Sequence, residues 1–146
     1  KGRAAIEMRL DRLGVALAPR CVVPHEAESV AAALVDHSAD LVLILTGSPT
    51  SDVADTAPSA VVAAGGRIDH YGMPVDPGNL LFLGTLGATP VVGLPGCARS
   101  VALNGADWVL SRVACGITVS SRDVAGMGVG GLLKEIPSRP QPRRAP

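Results

Sequence analysis

The stretch Leu41-Val42-Leu43-Ile44-Leu45-Thr46-Gly47-Ser48-Pro49-Thr50-Ser51-Asp52-Val53-Ala54-Asp55 decides how the chain is built. Leu41 to Leu45 is apolar at every position, with no polar alternation to mark a solvated face. A strand of that kind is covered on both sides, the habit of parallel sheets with helices above and below. The run breaks into a loop of small and hydroxylated residues, Thr46 to Ala54. A helix is predicted from near Asp55 to Gly65-Gly66, with Pro58 tolerated in its first turn. This strand–loop–helix order is the repeating unit of an α/β layered domain.

Upstream, Ile6, Leu10, Leu13 and Leu17 fall at three- and four-residue spacing and predict a helix with Gly14 as its stop. Cys21-Val22-Val23 is predicted as a short strand ended by Pro24, and Glu26 to His37 as a helix through Val30, Leu34 and Val35. Downstream, Arg67 to Tyr71 reads as a strand, and Leu80 to Leu83 and Pro90 to Leu94 as two strands joined near Gly87. Ser100 to Ala114 is predicted helical, anchored by Val101, Trp108, Val109 and Val113. Alternating strands and helices imply an α/β fold with a mainly parallel sheet.

The composition narrows the function classes. The chain has 146 residues, 47% of them hydrophobic, and 13 Lys+Arg balance 13 Asp+Glu. Neutrality argues against a sequence-independent grip on nucleic acid, and Tyr71, Phe82 and Trp108 are the only aromatics on which bases could stack. No window is long and apolar enough for a membrane span, and the first residues lack the apolar run of a signal peptide. Cys21, Cys97 and Cys115 form no Cys-x-x-Cys, so neither a disulfide framework nor a zinc site is expected; a reducing cytoplasm is the expected setting. The missing initiator Met points to a processed product or a fragment. A domain is expected over 1–125. Residues 126–146, glycine-rich and then carrying four prolines and three arginines from Pro137 onward, read as a linker to a further domain.

Ligands of open α/β sheets sit beyond the carboxyl ends of the strands. Two loops fit that position. Thr46-Gly47-Ser48-Pro49-Thr50-Ser51-Asp52 offers hydroxyls, a glycine open to close approach, and amides at a helix start that favour an anion. Asp55, at that start, reads locally as the helix cap. Pro95-Gly96-Cys97-Ala98-Arg99-Ser100 adds an arginine whose planar fork matches phosphate oxygens, with Ser100 as a cap. Pro77-Gly78-Asn79 is a third, smaller turn. His25, His37 and His70 share no ligand spacing, and Cys97 has no partner that marks it as a nucleophile.

In this order and spacing the loops resemble the molybdopterin-binding domain of molybdenum-cofactor biosynthesis proteins. The resemblance runs over roughly residues 3–113, through Pro24-His25-Glu26, Thr46-Gly47-Ser48 to Asp55, Gly65-Gly66, Pro77-Gly78-Asn79 and Leu94-Pro95-Gly96-Cys97-Ala98-Arg99-Ser100. It implies a three-layer α/β/α sandwich with molybdopterin as ligand. Thr46, Gly47, Ser48, Thr50, Ser51, Asp52, Pro77, Gly78, Asn79, Pro95, Gly96, Arg99 and Ser100 would surround the pterin and its phosphate. Asp55 would be a functional acid. It further implies transfer of a nucleotide, with Mg²⁺, or of molybdenum, and a homo-oligomer, dimer or trimer. The end of the chain resembles the segment joining such domains to a nucleotidyltransferase-like domain. Four positions depart from the family pattern: His25 replaces its Asp, Ser48 its second Gly, Asn79 its Lys, and Cys97-Ala98 its Asn/Gln-Pro. Lysine occurs only at 1 and 134, so binding is expected over phosphoryl transfer, which depends on cations to neutralise developing charge. The rival expectations are a nucleotide pyrophosphatase of the competence-damage-inducible type and a ligand-free oligomerisation or docking domain.

Overall fold

A computed structural model describes residues 2–18, 20–129 and 133. The elements in chain order are α1 (Gly2–Arg12), α2 (Ala27–Val35), β1 (Val42–Leu45), α3 (Thr56–Ala63), β2 (Arg67–Tyr71), β3 (Phe82–Leu86), β4 (Thr89–Leu94), a 3₁₀ turn (Gly96–Arg99), α4 (Gly105–Ala114) and α5 (Ser121–Gly126). The four strands form one open sheet in the order β1-β4-β3-β2. Strand β1 runs parallel to β4, pairing Val42 with Val91 through Leu45 with Leu94. Strand β3 is antiparallel to both β4 and β2.

The α/β class therefore holds, and the expectation of a mainly parallel sheet is corrected. Strands β3 and β4 are joined by Gly87-Ala88 alone. So short a connection can only make a hairpin, because a parallel neighbour needs a crossover of a dozen residues or more. Gly87 takes the left-handed φ (60°) that this turn requires.

Two apolar clusters flank the sheet. One gathers Leu83, Val92 and Leu94 with Ala106, Val109 and Leu110 of α4, Val124 of α5, and Met127. The other gathers Phe82 and Val91 with Ala31 and Leu34 of α2 and Ala57, Ala60 and Val61 of α3. The unbroken run 41–45 divides between them: Leu41, Leu43 and Leu45 pack on the first, Val42 and Ile44 on the second. That is why it shows no polar alternation. As the sheet's edge among the described strands, β1 is nevertheless only half-buried.

Several local expectations change, among them the third strand, which runs Phe82–Leu86 rather than Leu80 to Leu83. Cys21-Val22-Val23 forms no strand, and Val22 is 89% exposed; β1 pairs only with β4, so no ladder holds it. Helix α4 begins at Gly105 rather than near Ser100. Asn104 caps it: its side chain accepts from the Ala106 amide while Asp107 accepts from the Asn104 amide, satisfying two orphan donors reciprocally. The Ser100 hydroxyl accepts from Ala102 N instead (3.2 Å). Helix α5, too short for a periodic apolar signal, is nucleated by the same device at Ser120 and Asp123. Met127 is buried, so the folded body continues past 125. The Leu133 amide donates to Asp76 O (2.8 Å). The expected linker otherwise lies outside the described residues. No helix among the described residues is long and apolar enough to cross a membrane.

Asn104 is 1% exposed, and its amide also donates to Cys97 Sγ (3.1 Å). Asn104→Ala is expected to cost about 1.5 kcal/mol, a helix cap plus a buried hydrogen bond, measured as a lower urea midpoint. Asn104→Asp keeps the cap and should recover most of the loss.

Candidate functional site

Because β1 and β4 are parallel neighbours, their carboxyl ends release the 46–55 and 94–100 loops side by side, the crevice position of open α/β sheets. The loops touch: Arg99 Nη2 donates to the Thr46 carbonyl. Thr46 is buried and its hydroxyl donates to Ser48 O (2.5 Å), folding the start of the loop tightly. Ser48 Oγ in turn lies 2.9 Å from His25 Nε2. Further along, the Tyr71 hydroxyl donates to Thr50 O (2.9 Å), tying the loop to β2.

The 77–79 turn joins from a third direction. Gly105 N donates to Pro77 O (2.8 Å). Gly78 (φ 136°) packs so closely on α4 that a Cβ would lie 2.7 Å from Gly105 N and 3.0 Å from Asn104 Oδ1. Asn104 thus stands between the 77–79 turn and Cys97. Gly47, Ser48, Ser51, Asp52, Asn79 and Ser100 are exposed around this junction. Asp55, Pro77, Gly96 and Arg99 are half-buried, and Thr46, Thr50, Gly78 and Pro95 are buried beneath. A Cβ on Gly96 would sit 3.7 Å from Arg99 Nη1, so the guanidinium folds across the glycine.

Asp55 departs from its local expectation. It occupies the N-cap position of α3, but its carboxylate makes no bond to the helix. It turns back, accepting from Ser51 N (2.6 Å) and Asp52 N (3.0 Å), while Asp52 Oδ1 accepts from Ala54 N (2.7 Å). Loop amides expected to meet an anion are thus held by the chain's own carboxylates. The cationic side of the crevice is Arg99 over the 3₁₀ turn. The hydrogen-bond-accepting side is Asp52 and Asp55. Such a site suits a ligand with an anionic group at one end and N–H donors at the other.

Tyr71 registers this charge distribution. Partial burial raises its phenol above the ordinary value, and the nearby Asp55 and Asp52 carboxylates raise it further. The protonated phenol is favoured by folding. Its contribution to stability is therefore full below the usual phenol value of about 10 and is lost as pH rises through the higher folded value. As the chain has a single tyrosine, spectrophotometric titration reads this group alone. Asp55→Asn is expected to bring the midpoint down toward the ordinary value.

The remaining sequence candidates stay apart. His37 Nδ1 pairs with Leu34 O (2.5 Å) and His70 Nδ1 with Ser121 Oγ (2.9 Å). Among the described residues no three His, Cys, Asp or Glu side chains converge as ligands for a cation. Asp55 Oδ2 and Asp52 Oδ1 are the oxygens turned onto loop amides.

Sequence reasoning missed Asn104 and Arg9. The Asn-x-x-Asp spacing of 104–107 signals a cap and was available for the first. For Arg9, 4% exposed with its main partner at Asp107, no local signal exists. Neither a protein-family model, nor a curated protein, nor a solved structure matches the chain.

Proposed function

We propose that the chain is a molybdopterin-binding domain acting in molybdenum-cofactor biosynthesis, built as a three-layer α/β/α sandwich of that type. One observation carries the proposal: the loops singled out by the resemblance converge. Arg99 bonds to the Thr46 carbonyl, joining the first loop to the second, and Asn104 stands between the second and the 77–79 turn.

The division of charge fits the ligand. The phosphate lies against Arg99 and the 3₁₀ turn, where a guanidinium supplies fork-shaped donors. The aminopyrimidinone edge of the pterin, rich in N–H groups, faces the Asp55 carboxylate, with Thr50 and Ser51 beside it. With Arg99 as the crevice cation and lysines only at 1 and 134, the site holds its ligand rather than driving phosphoryl transfer. A homo-oligomer, a cytoplasmic setting and an attached nucleotidyltransferase-like domain belong to the same reading by resemblance.

Anaerobic calorimetric titration of the chain with molybdopterin and with its adenylylated form tests the proposal. Saturable one-site binding of either supports it. Binding of neither overturns it, and Mg²⁺- or Co²⁺-dependent cleavage of ADP-ribose instead would assign the crevice to nucleotide pyrophosphate hydrolysis.

A further inference from the structure

We infer that Arg9, on α1 and outside the three crevice loops, is the residue that positions the arginine-bearing side of the crevice. The ligand arm of this inference rests on the function proposed above; the structural arm does not.

The guanidinium of Arg9 leaves α1 and ends inside the connection between β4 and α4. Nε donates to Asp107 Oδ1 (2.5 Å), Nη1 to Ala98 O (2.8 Å) and to Ala5 O (3.2 Å), and Nη2 to Ala102 O (3.0 Å). Ala98 is the residue before Arg99, and Ala102 closes the bend after Ser100. The other Asp107 oxygen accepts from Asn104 N (2.8 Å), so the same ion pair holds the cap of α4. One planar group therefore fixes both ends of the segment that presents Arg99 to Thr46.

Packing does not require an arginine here. A buried ion pair is often matched or exceeded in stability by apolar residues of similar size, because desolvation offsets the attraction. What an apolar side chain cannot do is hold two carbonyls and a carboxylate at set angles. Lysine fails for a related reason: a point charge on a flexible stem cannot serve acceptors spread around a fork. The geometry thus assigns Arg9 to orientation of the 96–102 segment, and through it to the direction of Arg99.

Arg9→Met and Arg9→Lys, each in the whole chain, test this by amide hydrogen exchange and by molybdopterin titration. In Arg9→Met the Asp107 carboxylate keeps its solvent access and the Asn104 amide, so no charge is stranded. The expected result is exchange at 96–102 faster by at least about tenfold, the scale of each charge-assisted hydrogen bond lost from Ala98 O and Ala102 O, with β2 and β3 unchanged. Molybdopterin affinity should fall by a similar factor in both variants. Unchanged exchange at 96–102, or equal acceleration in every element, overturns the inference. Should Arg9→Met fail to fold, Arg9→Lys provides the same two readouts. Failure of the wild-type chain to bind molybdopterin refutes the proposed function, while the exchange pattern still decides the role of Arg9.

Discussion

Gly93→Ala is expected to remove about 3 kcal/mol of folding stability, the upper end of the usual cost of overpacking a core. Gly93 sits in β4 directly opposite Phe82 of β3. A Cβ there would overlap the Cδ1–Cε1 edge of the Phe82 ring. The ring has nowhere to go. Phe82 is 1% exposed and lies on the sheet face covered by α2 and α3, among Ala31, Ala57, Ala60 and Val61. Phe82 is the largest fully buried side chain of this cluster, and the glycine opposite completes the space its ring needs. Equilibrium denaturation in urea should show the loss as a lower midpoint with an unchanged slope. Two controls separate crowding from backbone effects. Phe82→Leu in the Gly93→Ala background should recover part of the loss, since it removes the clashing atoms. Gly87→Ala, at a left-handed φ of 60° but with open space around it, should cost only about 1 kcal/mol. If Gly93→Ala proves no worse than Gly87→Ala, the Phe82–Gly93 contact is not the constraint described.

The same pair shows how far the sequence could be read. That 41–45, 67–71 and 90–94 are strands followed from composition and periodicity, because burial on a sheet is a local demand on residue type. Residues 67–71 form a strand with the bounds expected from the sequence. Strand direction was a different matter. The Gly87-Ala88 turn makes β3 and β4 a hairpin, and the alternation of strands with helices elsewhere outweighed that cue. Cys21-Val22-Val23 has strand-forming residues but no partner, and a strand exists only by pairing. Loop positions were legible too: Thr46 and Arg99 were placed at strand ends from sequence alone, and they meet. Side-chain destinations were not. Asp55 looks like a cap in any local window, yet two backbone amides of the preceding loop compete for its carboxylate and hold it. Arg9 and Asp107 are far apart in the chain, and nothing near either residue announces the other. Long-range polar pairing is what a single sequence conceals, and it is here that the crevice is assembled.

That assembly makes Arg99 the most consequential side chain for the proposed ligand. Arg99→Ala is expected to weaken molybdopterin binding about 30-fold, or about 2 kcal/mol, the scale of a charge-assisted hydrogen bond to an anion. The guanidinium bonds to the Thr46 carbonyl through Nη2 and lies across Gly96, so it would meet a phosphate already oriented. Preorganisation separates this prediction from a simple effect of net charge. Arg99→Lys retains the charge but cannot hold the Thr46 carbonyl and a phosphate oxygen together with one geometry. It should therefore remain well below wild type, and its affinity should fall more steeply as salt screens a loosely held ammonium. Asp55→Ala supplies the opposite case. Loss of the carboxylate frees the Ser51 and Asp52 amides for an anion while removing the acceptor proposed for the pterin N–H groups. Inorganic phosphate should then bind better than to wild type, and molybdopterin worse. Calorimetry of both ligands on the three variants measures these differences directly. Equal affinity of wild type and Arg99→Ala for molybdopterin would mean that the phosphate lies elsewhere, leaving the Arg99–Thr46 contact as a brace between two loops.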